Sequence, residues 1–299
     1  MRNALAGWLF LALLAPHPSR AVDGVIEINQ QAVLAAGGFP FQIFTPGSYR
    51  LTSNLDLRGI ADAQNLNAIT ANVGDVSIDL NGFAIIGPTV CPGISVAEPL
   101  ACAPTGSGRG ISAQSSRVSV SNGVVRGVGL FGIACGGDCR IERVKVENCG
   151  SIGIQVGNGS ILLANTVRGN GGIGIVSGAN SVIRENTVSN NGGAGLTSES
   201  ASVIANNTVH FNRGLGMSIG ATSTVVANSI TQNIGDGILA SSANIVRDNA
   251  IFLNGGYGIN FQGGTSSGYV NNVLSANTLG NVTSGTQLGG NICGSALCP

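Results

Sequence analysis

Apolar residues in this chain return at a fixed step. A glycine followed by an apolar residue recurs every 21 positions: Gly132-Ile133, Gly153-Ile154, Gly174-Ile175, Gly195-Leu196, Gly216-Met217, Gly237-Ile238 and Gly258-Ile259, with Gly110-Ile111 lying 22 positions ahead of the first. A second column holds Val125, Val146, Val167, Val188, Val209, Ile230 and Ile251. A third holds Val120, Ile141, Leu162, Ile183, Ile204, Val225 and Val246. Two asparagine columns run beside them: Asn165, Asn186, Asn207, Asn228 and Asn249, then Asn170, Asn191, Asn212, Asn233 and Asn254. After a two-residue insertion near Thr265 to Gly268, the pattern resumes at Asn272, Leu274 and Asn277. Fixed self-similarity at such a period marks a solenoid.

Each unit has three short apolar stretches separated by Gly, Asn and Ser. Stretches this short suit strands rather than helices. Three strands per 21-residue unit describe one rung of a parallel β-helix, an all-β fold whose rungs stack at about 4.8 Å. The three apolar columns should line the inside over residues 120 to 260. Each asparagine column should form an interior ladder, because an amide both donates to and accepts from its copy on the next rung. Corners of bent backbone with φ > 0 are the expected reason for the glycines. Leucine-rich repeats would need L-x-x-L-x-L, which is absent. Calcium-binding nonapeptide repeats would need a recurring Asp, and only Asp236 sits near such a position.

Composition narrows the reading further. The chain has 299 residues, 47 of them Gly, with 43% apolar and 9% charged residues and no net charge. So weak a charge, with no cluster of Lys and Arg, argues against nucleic-acid binding. Glycine at this density disfavours a helical protein, and no Gly-X-Y period supports collagen.

Residues 1–21 read as a signal peptide. Arg2 is the basic residue, Ala4 to Ala15 form the apolar stretch, and cleavage is expected after Ala21. That stretch is too short for a membrane span of about 20 residues. The protein is therefore expected to be secreted or periplasmic, with no membrane span. Seven cysteines suit such a compartment. Proximity pairs Cys91 with Cys102, Cys135 with Cys139 and Cys293 with Cys298, leaving Cys149 free as a buried thiol. Zinc would need C-x2-C spacing or nearby histidines. His17 lies in the leader, so only His210 remains, and neither metal nor cofactor is expected.

The repeated N-T-V-x-x-N-x-x-x-G-I resembles the right-handed parallel β-helix repeat of the pectin-lyase-like superfamily. Ser77-Ile78-Asp79-Leu80-Asn81-Gly82-Phe83 is similar to an early rung of exported bacterial members, and Pro46-Gly47-Ser48-Tyr49-Arg50-Leu51 to their first turn. The resemblance spans most of the mature chain. It implies residues 22–74 as an entry segment with first turns, 75–282 as the stack, and 283–299 as a closing segment, with a loop inserted from Pro88 to Gly108. It does not fix an activity, because these folds carry many. The paired aspartates of its glycoside hydrolases, the D-P-H of its alginate epimerases and the acidic calcium clusters of its pectate lyases are all missing here.

One outward column carries chemistry: Arg126, Glu147, Arg168, Ser189 and His210, flanked by Lys145, the only lysine. Residues i and i+2 of a strand share a face. Read as a lyase-like site, Arg168 would neutralise a uronate carboxylate, and Lys145 or His210 would remove the adjacent proton. Arg126, Glu147 and Ser189 would hold substrate. Read as a charge ladder, Arg126 and Arg168 bracket Glu147 in surface ion pairs of little energy. Glu142, Arg184, Glu185, Arg247 and Asp248 read as solvated surface charge. Phe211, Phe252, Tyr257 and Phe261 suggest a shallow apolar surface or turn packing. Two functions follow. One is a glycan-binding or structural surface protein, with acidic polysaccharide as its partner. The alternative is a polysaccharide lyase or related enzyme acting on uronate-containing polymer.

Overall fold

A 21-residue coil must turn three times, and here single residues in left-handed conformation make the turns. In one coil Ile154–Val156, Ile161–Leu163 and Thr166–Arg168 are the strands. Gly159 (φ +70°), Ala164 (φ +54°) and Gly169 (φ +63°) end them in turn. The computed structural model describes residues 24–93, 100–262 and 266–298. The expected signal segment and parts of both insertions lie outside the described residues.

Each strand pairs in parallel with its copy in the next coil. Ile154 meets Ile175, Leu162 meets Ile183 and Val167 meets Val188. The strands gather into a 22-stranded and an 11-stranded sheet. That two-to-one ratio follows from three strands per coil, two of which feed the larger sheet. The larger sheet bends at the corner after Leu163, giving a first face through Ile161–Leu163 and a second through Thr166–Arg168. All three apolar columns point inward, and Ile183, Val188 and Ile175 are fully buried.

The ladders form as the amide chemistry requires. Asn186 Oδ1 accepts from the Asn165 backbone N–H at 2.9 Å and from Asn165 Nδ2 at 3.0 Å, while Asn186 Nδ2 donates to the Leu162 carbonyl at 3.0 Å. The second column repeats this, with Asn212 Oδ1 accepting from Asn191 N–H at 3.1 Å. A third ladder at the remaining corner is built from Ser181, Ser202 and Ser223.

The regular glycine column answers to a different cause than the corners, where Gly159 and Gly169 do take positive φ. Left-handed corners are occupied mainly by other residues, among them Asn148, Glu185 and Phe211. The regular column of Gly153, Gly174, Gly195 and Gly237 lacks positive φ and is instead squeezed. A Cβ on Gly237 would sit 2.7 Å from the Gly258 carbonyl oxygen and 2.7 Å from Ile251 Cγ2.

Coiling begins early, since Val25–Ile28 pairs with Gly47–Leu51, which pairs with Val76–Asp79. In the first coil the helix Gln30–Ala35 replaces the second-face strand. Its Gln30 amide takes over the missing edge bonds, accepting from Asp56 N–H at 2.9 Å and donating to Asp56 O at 3.0 Å. An open sheet edge invites pairing with other chains, and this amide satisfies Asp56 at the second-face edge. At the far end Ile292–Cys293 turns back antiparallel onto Ala296–Leu297.

The structure pairs Cys91 with Cys102, Cys135 with Cys139 and Cys293 with Cys298, and leaves Cys149 free and buried. The insertion after Pro88 is pinned along the turn that follows the second face. Thr89 N–H donates to Gly127 O at 2.7 Å, Gly106 N–H to Gly129 O at 3.0 Å, and Leu130 N–H to Gly108 O at 2.8 Å.

Candidate functional site

Parallel pairing turns sequence columns into physical rows. Glu147 lies opposite Arg126 and Arg168, Ser189 opposite Arg168 and His210. All five stand on the outer surface of the second face, with Lys145 two residues before Glu147 on the same side of its strand.

Glu147 is the hub. Its Oε2 accepts from Lys145 Nζ at 2.9 Å, Arg168 Nε at 3.0 Å and Arg168 Nη2 at 2.9 Å. The Glu147 side chain is 10% exposed, against 39% for Lys145 and 52% for Arg168. Burial alone would raise its carboxyl, but the Lys145 and Arg168 hydrogen bonds and charges together hold it below the usual carboxylate range. Arg126, expected as the second bracket of Glu147, makes no ion pair with it. The carboxylate is already taken by the cation two residues away and the one a coil above. Arg126 instead borders a shallow cavity of about 150 Å³ shared with Arg58, Pro88, Val90 and Asn148. The insertion thus forms a wall along the second face.

His210 is half-buried, and burial pushes its imidazole below the ordinary histidine value. Its ring meets Phe211 edge-on at 5.2 Å. Two strand spacings, about 9–10 Å, separate its backbone from that of Arg168. Ser189 lies between them, buried.

The other expected groups separate. Glu142 accepts from Arg140 and Arg143 on the first face, and Arg247 pairs with Asp248, all on exposed surface. Phe261 is buried against Tyr269 at 6.0 Å, so the aromatic residues share no single surface. Cys149 is fully buried and its thiol is pushed up to about 12, first by desolvation, so it is no nucleophile. Among the described residues no three His, Cys, Asp or Glu side chains are placed to hold a metal. No described helix is long and apolar enough to cross a membrane.

Two features of this face escaped the sequence reading. Thr166, Thr187 and Thr208 form an outward hydroxyl row directly beside the charged column. Their signal was present as the Thr of the repeated N-T-V, two residues before each column position. The wall made by the insertion had no such signal, because a non-repeating loop has no periodic partner.

Known proteins share this architecture. A family model described as right handed beta helix region matches residues 131–292. Among solved structures, the mannuronan C-5 epimerase A-module from Azotobacter vinelandii is 18% identical, with a TM-score of 0.53 over 89% of this chain and 83% of the other. A periplasmic alginate epimerase is 15% identical, with a TM-score of 0.59 over 90% of this chain and 71% of the other. A tailspike protein of an E. coli bacteriophage, solved in complex with a pentasaccharide, is 11% identical, with a TM-score of 0.52 over 89% and 58% of the two chains. A search among curated protein sequences finds no match.

Proposed function

The chain belongs to the right-handed β-helix family, and on that scaffold we propose that it binds an acidic glycan along the outer surface of the second face. The observation that carries this is a local charge excess. Arg126, Lys145 and Arg168 stand on adjacent coils with one carboxylate, Glu147, among them, in a protein of zero net charge. Uronate carboxylates would meet the cations, and sugar hydroxyls would meet Thr166, Thr187, Thr208 and His210, with Ser189 buried beneath them. Glu147 braces Lys145 and Arg168 in fixed geometry. A cation held this way is preorganised for a polyanion. The epimerases above are named for alginate, and the tailspike was solved with a pentasaccharide. They share the fold, and the residues of this face carry the reading. The three disulfides support export to an oxidising compartment, as does the leader expected from the sequence.

The test is retention of the purified protein in gels containing polygalacturonate or alginate, with dextran as the neutral control. Retention by the acidic polymers alone, weakened by Arg126→Ala and Arg168→Ala, supports the proposal. Equal migration in all gels would sink it.

One observation favours the enzymatic alternative, a lyase. Burial favours neutral imidazole at His210, two coils from the Arg168 guanidinium, which offers a base and a carboxylate anchor. The Lys145 Nζ is engaged by Glu147 Oε2 at 2.9 Å. Formation of unsaturated uronate products by wild type and their loss in His210→Ala would select this alternative. No product from any acidic polymer would eliminate it.

A further inference from the structure

The smaller sheet carries a second cluster, on the opposite side of the turn that the insertion covers. Its outward row runs Ser112, Ala134, Gln155 on successive coils. Ala134 is the smallest side chain of the three, and the space it leaves opens into a cleft of about 260 Å³ lined by Arg109, Gln114, Phe131, Ala134 and Gln155. Arg109 follows directly on the insertion. Its backbone is fixed on both sides, with its N–H donating to Asn67 Oδ1 at 2.9 Å and its carbonyl accepting from Ala68 N–H at 2.9 Å.

The Arg109 side chain is under-used. Its guanidinium lies 5.4 Å from the centre of the Phe131 ring. Nη1 donates to Ser112 Oγ at 3.4 Å, a long bond, and Nε is buried with no partner. Among the described residues no acidic side chain forms an ion pair with it. Every other described buried side-chain polar atom has a partner, and an unsatisfied buried donor in a native fold calls for a physical reason. A cation without an anion, stacked on an aromatic ring beside two amides, is the composition of a site for a carboxylate carried on a sugar. Arginine matches a planar carboxylate through its fork. The Phe131 ring offers apolar contact to a pyranose. The Gln114 and Gln155 amides donate to and accept from hydroxyls.

We propose that this cleft is a uronate-binding subsite in which Arg109 pairs with the sugar carboxylate, Phe131 packs against the ring, and Gln114 and Gln155 bond its hydroxyls. It lies on a different sheet from the face that carries Arg168. The two readings fail separately: a free monosaccharide reads this cleft through Arg109, and a polymer reads the other face through Arg126 and Arg168.

The experiment is titration of the full mature chain with sodium glucuronate, glucose and inorganic sulfate, followed by calorimetry or saturation-transfer NMR. Wild type should bind glucuronate at least tenfold more tightly than glucose or sulfate. Arg109→Gln should weaken glucuronate at least tenfold, as should Ala134→Leu, which fills the cleft while leaving Arg109 in place. Arg117→Ala, which removes a cation paired with Asp75 on an exposed corner, should bind as wild type does. Unchanged thermal melting of the Arg109 and Ala134 variants separates lost binding from lost fold. The proposal is overturned by equal binding of glucose, by equal binding of sulfate, by no glucuronate binding in wild type, or by full affinity in both cleft variants.

Discussion

Coils before Ser160 and coils after it share one strand register but are held at their corners by different chemistry. From Asn165 onward, two corners are tied by continuous amide ladders that run to Asn277 and Asn291. In the earlier coils the equivalent inward positions are apolar. Val144 and Cys149 occupy them, and the ladders end by accepting the Val144 and Cys149 backbone N–H groups at 3.0 Å each. The laddered coils are monotonous, and to the candidate face they contribute Arg168, His210 and the threonine row. The earlier coils hold the insertion, Lys145, Glu147, Arg109 and Phe131. A ladder favours identity from coil to coil, because each interior Oδ1 accepts from the Nδ2 of its copy on the preceding coil. Where side chains must vary to make a site, apolar packing makes no such demand.

This contrast can be broken most severely at Asn207. Replacing it by Leu strands the Asn186 backbone N–H and removes one bond each from Asn186 Nδ2, the Ile183 carbonyl and Asn228 Oδ1; Asn186 Nδ2 keeps the Leu162 carbonyl, and Asn228 Oδ1 keeps the backbone N–H of residue 207. A loss of about 1–3 kcal/mol for each stranded group is expected in chemical denaturation, and an unchanged midpoint would refute the interior ladder. Gly237→Ala comes next. Its Cβ would press on the Gly258 carbonyl oxygen, and about 1–3 kcal/mol is expected from overpacking. The same exchange at Gly38, where nothing lies within 4 Å but φ is +97°, tests backbone strain alone.

Cys149→Asn sharpens the comparison by extending a ladder one coil into the apolar region. Its stability should change by less than about 1.5 kcal/mol. In wild type, alkylating reagents should leave Cys149 unmodified until the protein unfolds, given full burial and a thiol pushed up to about 12.

The smallest effect is that of pH. Burial lowers His210 below its unfolded value of about 6.5. The unfolded state then binds more protons across that interval, so stability is full above about pH 6.5 and declines as pH falls. Glu147 has the same sign at lower pH, since its lowered carboxyl contributes above the unfolded value and is lost as pH falls through the folded one. Between about pH 7 and 5, His210→Gln should show a flatter slope than wild type in thermal melts. Parallel slopes would remove His210 from the account.

Period made much of the fold legible. Ile183, Val188 and Asn207 are placed by repetition alone, and a repeated residue in a stacked coil has one environment. The role of Gly237 was not legible, because a clash between an absent Cβ and a carbonyl one coil away leaves no trace in φ preferences. At the candidate site the column Arg126 to His210 could be read, since columns are periodic. Its pairing could not, because Glu147 chooses between cations by side-chain reach. Arg109 and its cleft were invisible. Their geometry depends on where a non-repeating insertion lands, and on a small residue, Ala134, whose importance lies in the space it leaves.

The asparagine ladders also give the solenoid an electrical direction. In each ladder the amide oxygen Oδ1 points toward the preceding coil and receives an N–H from it. The amide dipoles therefore align head to tail along the axis, as peptide dipoles do in a helix. In the sheets backbone dipoles largely cancel, so these amides supply the net polarity. Both rows begin with their oxygens, at Asn165 and Asn170, against the coil that bears Lys145 and Glu147. The oxygen ends of both rows thus face the coil that bears the charged cluster, and their Nδ2 ends face the C-terminal coils.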